Sequence, residues 1–197
     1  MGQSNVNLGA LIGSRICHDL ISPIGAINNG LELLGMSNER EGPELDLISE
    51  SVGNASARIR FFRIAYGAAS DQPMGRAEVV SIIKDVTKGG RLTVAYGPMS
   101  EQPRWAVRMA FLAIQCLETS MPYGGRIEVD CTDGVWKVTG HAPKTNVDDA
   151  LWAWLRNEDT KELAAAHVQY ALLPAVARDA ERQIETSIDG QTLQISF

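Results

Sequence analysis

The sequence predicts an α+β protein. A long N-terminal helical hairpin, forming a four-helix bundle in a homodimer, is followed by a two-layer α/β sandwich. Three observations carry this. Apolar residues step by three and four without a break from Leu45 to Ala69, and a second such stripe runs from Ile16 to Leu34. Beyond Asp71–Gly75, short helical and alternating segments replace that pattern. The hairpin is assigned to residues 1–72 and the α+β domain to residues 73–197 of the 197-residue chain.

The first helix should run from about Leu8 to Met36, with Ile16, Leu20, Ile24, Ile27, Leu31 and Leu34 on its apolar face. Gly35–Pro43 reads as a polar loop. The second helix carries Leu45, Ile48, Val52, Ala55, Ile59, Phe62, Tyr66 and Ala69, a heptad a/d seam, with Pro43 and Glu44 suited to its first turn. Each arm is roughly 40 Å long at about 1.5 Å per residue. Two helices cannot cover each other's apolar faces over that length, and the rest of the chain offers no comparable pair. A second copy is the expected source of the missing two helices. The other solution is a hairpin packed on its own C-terminal domain.

In the second domain, Ala77–Lys88 is helical and Arg91–Tyr96 alternates like a strand. Arg104–Met121 is a helix, and strands Arg126–Cys131 and Val135–Thr139 are joined at Asp133-Gly134. Helices are expected over Val147–Arg156 and Thr160–Ala180, the second kinked or divided by Pro174. Gln183–Ile188 and Thr192–Phe197 form a closing hairpin over Asp189-Gly190. Trp105, Trp136, Trp152 and Trp154 read as core or domain-interface anchors, and Asp148 and Asp149 as dipole partners at a helix start.

Composition excludes several function classes. Eighteen Lys+Arg against 24 Asp+Glu leave a formal charge of −6, and no basic cluster interleaves with aromatics, so nucleic acid is not an expected partner. No stretch holds about 18 uncharged apolar residues and the N-terminus lacks signal-peptide grammar, so no membrane association is expected and the chain should be cytoplasmic. Cys17, Cys116 and Cys131 are odd in number and far apart. They read as small buried hydrophobes in a reducing compartment, with no metal-ligand spacing among them, His141 and His167.

The chemistry concentrates in Cys17-His18-Asp19-Leu20-Ile21-Ser22-Pro23. His18 lies two residues from both Ile16 and Leu20, which puts it on the face opposite the apolar stripe. Ser22 is one turn further along that face, and Asp19 is the adjacent acid. Pro23 removes the N–H that would bond the Asp19 carbonyl, so the helix should bend under the histidine. A neutral imidazole is a good nucleophile near pH 7, and a hydrogen-bonded carboxylate can hold its tautomer and offset positive charge. On spacing alone, an ordinary surface residue is the favoured reading of an exposed helix histidine; a proline within the helix, at a cost of about 3 kcal/mol, shifts the balance toward a site.

The run Arg15-Ile16-Cys17-His18-Asp19-Leu20-Ile21-Ser22-Pro23-Ile24-Gly25-Ala26-Ile27-Asn28-Asn29-Gly30-Leu31-Glu32-Leu33-Leu34 resembles the phosphoacceptor helix of histidine kinases. It resembles more closely the ChpT-type histidine phosphotransferases of bacterial phosphorelays, which are dimers of a kinase-like hairpin with a degenerate ATPase-like domain. The resemblance extends over the order of elements along the whole chain. It implies that His18 carries the phosphoryl group, with Asp19 and Ser22 as catalytic neighbours. Arg15, Ile21, Pro23, Gly25, Asn29, Arg58 and Arg63 would form the partner-binding surface. Partners would be a second copy and the receiver domains of a hybrid histidine kinase and of response regulators. The resemblance implies no cofactor of the chain's own, with Mg2+ supplied by the receiver.

Departures from the kinase pattern bear on ATP. Where active kinases place an Asn nine residues before a Gly-Gly pair, this chain has Gln115 before Gly124-Gly125, with Glu118 where Lys is usual. Gly140-His141-Ala142-Pro143 stands in place of the adenine motif, and Asp159-Thr160-Lys161-Glu162-Leu163 in place of a Gly-rich phosphate lid. Without such glycines, backbone amides have no close approach to a triphosphate. A divergent ATP-dependent kinase and a non-catalytic dimeric adaptor are the alternatives.

Charge is divided along the hairpin. Residues 8–22 and 54–70 hold Arg15, Arg58, Arg60 and Arg63 against Asp19, net +3. Residues 23–53 hold Arg40 against Glu32, Glu39, Glu41, Glu44, Asp46 and Glu50, net −5. A basic rim around His18 would favour encounter with an acidic receiver, although exposed charges often act only as a solvated face.

Overall fold

The computed structural model describes residues 2–36, 42–67, 72–156 and 163–197. Helix α1 (Gly2–Met36) runs through Pro23 uninterrupted, and α2 (Pro43–Ala65) starts on Pro43 with Glu44 and Asp46 in its first turn. The two pack along their length. At Gly30 a Cβ would lie 2.6 Å from Cγ1 of Ile48, so the absence of a side chain is what lets the helices approach there. The second helix ends at Ala65, short of the expected Ala69: Tyr66 departs from helical geometry at φ −111° while its N–H still bonds the Phe62 carbonyl, and Gly67 folds so close over the Arg63 carbonyl that a Cβ there would have no room. Ala69 and the charged loop residues Glu39, Arg40 and Glu41 lie outside the described residues.

Helix α3 (Arg76–Thr87), strand β1 (Leu92–Tyr96), helix α4 (Arg104–Ser120) and strands β2 (Gly125–Thr132) and β3 (Val135–His141) follow in the expected order. Asp133 and Gly134, both at positive φ (52° and 78°), make the two-residue turn between β2 and β3. Helix α5 (Asp149–Leu155) is capped by Asp148, whose side chain accepts from the N–H groups of Ala150 and Leu151. Strands β4 (Glu185–Asp189) and β5 (Thr192–Ser196) close the chain. Asp189 pairs with Thr192, so their two turn residues are Gly190 and Gln191 rather than Asp189 and Gly190.

The sheet order is β1-β2-β3-β5-β4. The β1–β2 pair is parallel and the rest are antiparallel. Ile127, Val129, Trp136, Val138, Leu193 and Ile195 alternate inward, and α4 lies across them. This helix is buried on nearly every side because it is covered on both faces. One face packs on the sheet; the other meets α6 and the base of α2, where Phe61 stacks on Phe111 with centroids 4.6 Å apart and planes 9° off parallel. Trp136 and Trp152 are core residues, while Trp105 and Trp154 pack on the core's edge.

The segment expected to be one helix over 160–180 differs. Residues 157–162, and with them Asp159, Thr160, Lys161 and Glu162, lie outside the described residues. Beyond them the chain is irregular at Leu163 and extended at Ala164, makes a single 3-10 turn at Ala165–His167, and only then enters α6 (Gln169–Asp179). Pro174 sits inside α6 without dividing it. The break falls earlier, where Tyr170 turns its hydroxyl onto the Cys116 carbonyl and joins Ser120 and Trp152 in a buried polar network that fixes the start of α6 on α4.

Candidate functional site

His18 projects from the outward half of α1, with its side chain 82% exposed. Its neighbour Asp19 turns the other way and is only 10% exposed, against α2. The carboxylate nevertheless reaches the imidazole: Asp19 Oδ1 lies 3.1 Å from His18 Nδ1. A carboxylate oxygen only accepts, so the ring's N–H is assigned to Nδ1, and Nε2 presents its lone pair to solvent.

The second carboxylate oxygen is held by arginines. Arg15 Nε donates to Asp19 Oδ2 at 2.9 Å, one helical turn away, and Arg58 Nη1 lies 3.9 Å from the same atom across the hairpin. With both guanidinium groups on Oδ2, Oδ1 is left for the imidazole. Arg15 Nη1 also donates to the backbone carbonyl of Ala166, in the 3-10 turn of the second domain.

The other expected site residues are spread around this centre. Ile21 and Asn29 are exposed on α1, Pro23 and Gly25 half-buried, and Arg63 exposed on α2. Ser22 is exposed and lines, with Asp19, the cleft between the hairpin and the second domain, and no side-chain hydrogen bond joins it to His18. Arg15 departs from the rim placement expected of it. Only 18% of its side chain is accessible, because the i,i+4 acid and the second domain both draw it inward. Cys116 is buried as expected and Cys131 half-buried, but Cys17 is exposed, since it shares the outward half of α1 with His18.

Between hairpin and sheet domain lies a cavity of about 620 Å³, walled by Asp19, Arg58, Gln115, Glu118 and the Lys88–Arg91 turn among others. Gln115 Oε1 accepts from the Tyr66 hydroxyl at 3.1 Å, which ties the end of α2 to α4. Burial pushes the Tyr66 hydroxyl up to about 12, so it stays a donor. Glu118 opens onto the cavity, yet the protein around it raises its carboxyl above the ordinary value; Arg15 and Arg58 pull the other way. Among the described residues no group of three or more His, Cys, Asp or Glu gathers in metal-binding range, and no helix is long and apolar enough to cross a membrane.

The bond from Arg15 to Ala166 and the Tyr66–Gln115 bond were missed by the sequence reading. The Arg15–Asp19 pair had a usable signal in its i,i+4 spacing. The other two join residues 49 and 151 positions apart, and no local pattern encodes them.

Comparison with known proteins bears on these residues. The family model of the histidine phosphotransferase C-terminal domain matches residues 76–192. A 69-residue stretch is 61% identical to the protein phosphotransferase ChpT of Brucella abortus (strain 2308); it covers 34% of this chain and 31% of that protein, so the match spans about a third of the relative's length. A solved structure of a bacterial phosphotransferase superposes with a TM-score of 0.80 over 97% of this chain and 95% of its own, at 29% identity.

Proposed function

The chain belongs to the histidine phosphotransferase family, and on that premise we propose that it passes a phosphoryl group between receiver-domain aspartates through phosphohistidine at His18, without ATP. One observation carries the reading. The only strongly exposed group of the Arg15–Asp19–His18 chain is the imidazole, and its outward nitrogen is the one carrying the lone pair.

In the forward half-reaction, Nε2 attacks the phosphorus of a receiver's aspartyl phosphate. The N–P bond forms as the P–O bond breaks, and the receiver's carboxylate leaves with the electron pair. No proton departs: the ring keeps its Nδ1–H and becomes cationic, facing the Asp19 carboxylate, which favours the charge as it develops. In the second half, a carboxylate of the downstream receiver attacks phosphorus and the N–P electrons return to Nε2. The receivers bring Mg2+ with their acidic sites, so this chain need supply only placement and electrostatics. Ile21, Pro23, Gly25 and Asn29 along α1, with Arg58 and Arg63 on α2, form the receiver-binding surface in this reading.

Two features support independence from ATP. The Gln115 carbonyl oxygen, at the position where a kinase holds magnesium, is occupied by Tyr66. Glu118 puts a carboxylate where a phosphate-contacting lysine would stand, and like charges repel. A homodimer is supported by Ile24 and Leu31 on α1 and Val52 and Ile59 on α2, which are about half exposed in the single chain. Apolar side chains repeating along both helices make a continuous seam that a second hairpin would cover. The reading places the protein in the cytoplasm, where receiver domains are.

The test is phosphoryl transfer from a labelled receiver. Label should reach the wild-type chain and not His18→Ala, and calorimetry should detect no ATP binding. Label on His18→Ala, or self-phosphorylation with ATP, overturns the reading.

A further inference from the structure

The electrostatics of the hairpin make Arg15 look like part of a basic docking rim, but its atoms are committed elsewhere. Its side chain is mostly covered, and its forked head bridges two groups: Nε binds Asp19 and Nη1 binds the Ala166 carbonyl. Ala166 can offer that carbonyl because residues 163–168 are not α-helical; in a continuous helix the oxygen would accept from the N–H four residues on. Arg58 is differently placed, at 3.9 Å from Asp19 and more than twice as exposed, and it faces the Glu118 carboxylate across the cavity.

We infer that Arg15 is a positioning residue for phosphoryl transfer, setting the Asp19 carboxylate so that His18 keeps its proton on Nδ1, and that the 3-10 turn Ala165–His167 holds Arg15 in place. This rests on the reading of His18 as the phosphoryl acceptor. The chain of contacts runs from the Ala166 carbonyl through the guanidinium to Oδ2, and from Oδ1 to the imidazole. Each link is directional, so loosening the first lets the carboxylate rotate about its own bonds and releases the tautomer. The seating of the second domain on α1 is thereby coupled to the reactivity of a nitrogen it does not touch. A lysine keeps the charge but has one nitrogen on a flexible stem and cannot span both acceptors.

Arg15→Lys and Arg15→Gln separate positioning from docking. In the full-length protein, nitrogen NMR of His18 should show Nδ1–H in the wild type and a mixture with Nε2–H in both variants. With a phosphorylated receiver, the transfer rate at saturation should fall about tenfold or more while the half-saturating receiver concentration stays within about twofold. Circular dichroism and thermal unfolding confirm that both variants fold. The proposal is overturned by an unchanged tautomer, by a rise in half-saturation at an unchanged limiting rate, or by full rescue in Arg15→Lys. If the wild type itself takes no label, the reading of His18 fails, and the tautomer measurement still decides the role of Arg15.

Discussion

Helices α1 and α4 are both rich in apolar residues, yet the fold treats them in opposite ways. Every residue of α4 from Met109 to Leu117 is buried, between the sheet on one side and α2 and α6 on the other. Among the described side chains of α1, only the position of Gly30 is buried, while Ile21, Ile24, Leu31 and Leu33 stand half open or more. The same hydrophobicity thus serves as completed core in one helix and as unused surface in the other. Stability is concentrated where the chain meets itself, and the histidine proposed to react sits where it has met nothing yet.

Substitutions can break that contrast. Phe111→Ala removes the ring stacked on Phe61 and leaves a cavity at the junction of α2 and α4; the cost should be about 3–5 kcal/mol in urea unfolding. A loss below about 1 kcal/mol would mean that α4 is not the keystone of the packing. On α1 and α2, Ile24→Glu combined with Ile59→Glu should leave the fold of the chain intact and weaken self-association at least about 100-fold in sedimentation equilibrium, because a buried dimer seam would then hold unpaired charge. An unchanged dimer would assign the exposed stripe to some other contact.

The smallest effect concerns pH. Burial, and then the Arg15 charge, lower the pKa of His167 below its ordinary 6.5, while Asp148 opposes them. Tyr170 supplies the only ring packed on it among the described residues. The folded chain therefore binds fewer protons than the unfolded chain just below pH 6.5. Stability contributed by neutral His167 is complete above that value and is lost as pH falls through the lowered one. The urea midpoint should drop between pH 7 and pH 5.5 by more in the wild type than in His167→Asn; equal drops would remove His167 from the account.

How much of this was legible follows from distance along the chain. The exposure of His18 could be read from its two-residue offset from Ile16 and Leu20, and the strand order's β2–β3 turn from Asp133-Gly134, because both signals are local. The amphipathic seam was legible too, including Val52 and Ile59, which the single chain leaves uncovered. What escaped was the segment before α6. Its apolar and Ala-rich composition favours helix, but the start of α6 is set by Tyr170 bonding to α4, a contact spanning 54 residues. The inward turn of Arg15 escaped with it, since the carbonyl it binds exists only because that helix begins late.

The stack of Phe61 on Phe111 also has a consequence in time. As the polypeptide emerges from the ribosome, the hairpin precedes the second domain, and the ring that covers Phe61, Phe111 of α4, is made fifty residues later. Until then the base of α2 is sticky, and an acceptor helix without its second domain has no seat. On the proposed reading of His18 and Arg15, a histidine held in its accepting tautomer is a late product of synthesis, formed only once the Ala165–His167 turn has been made.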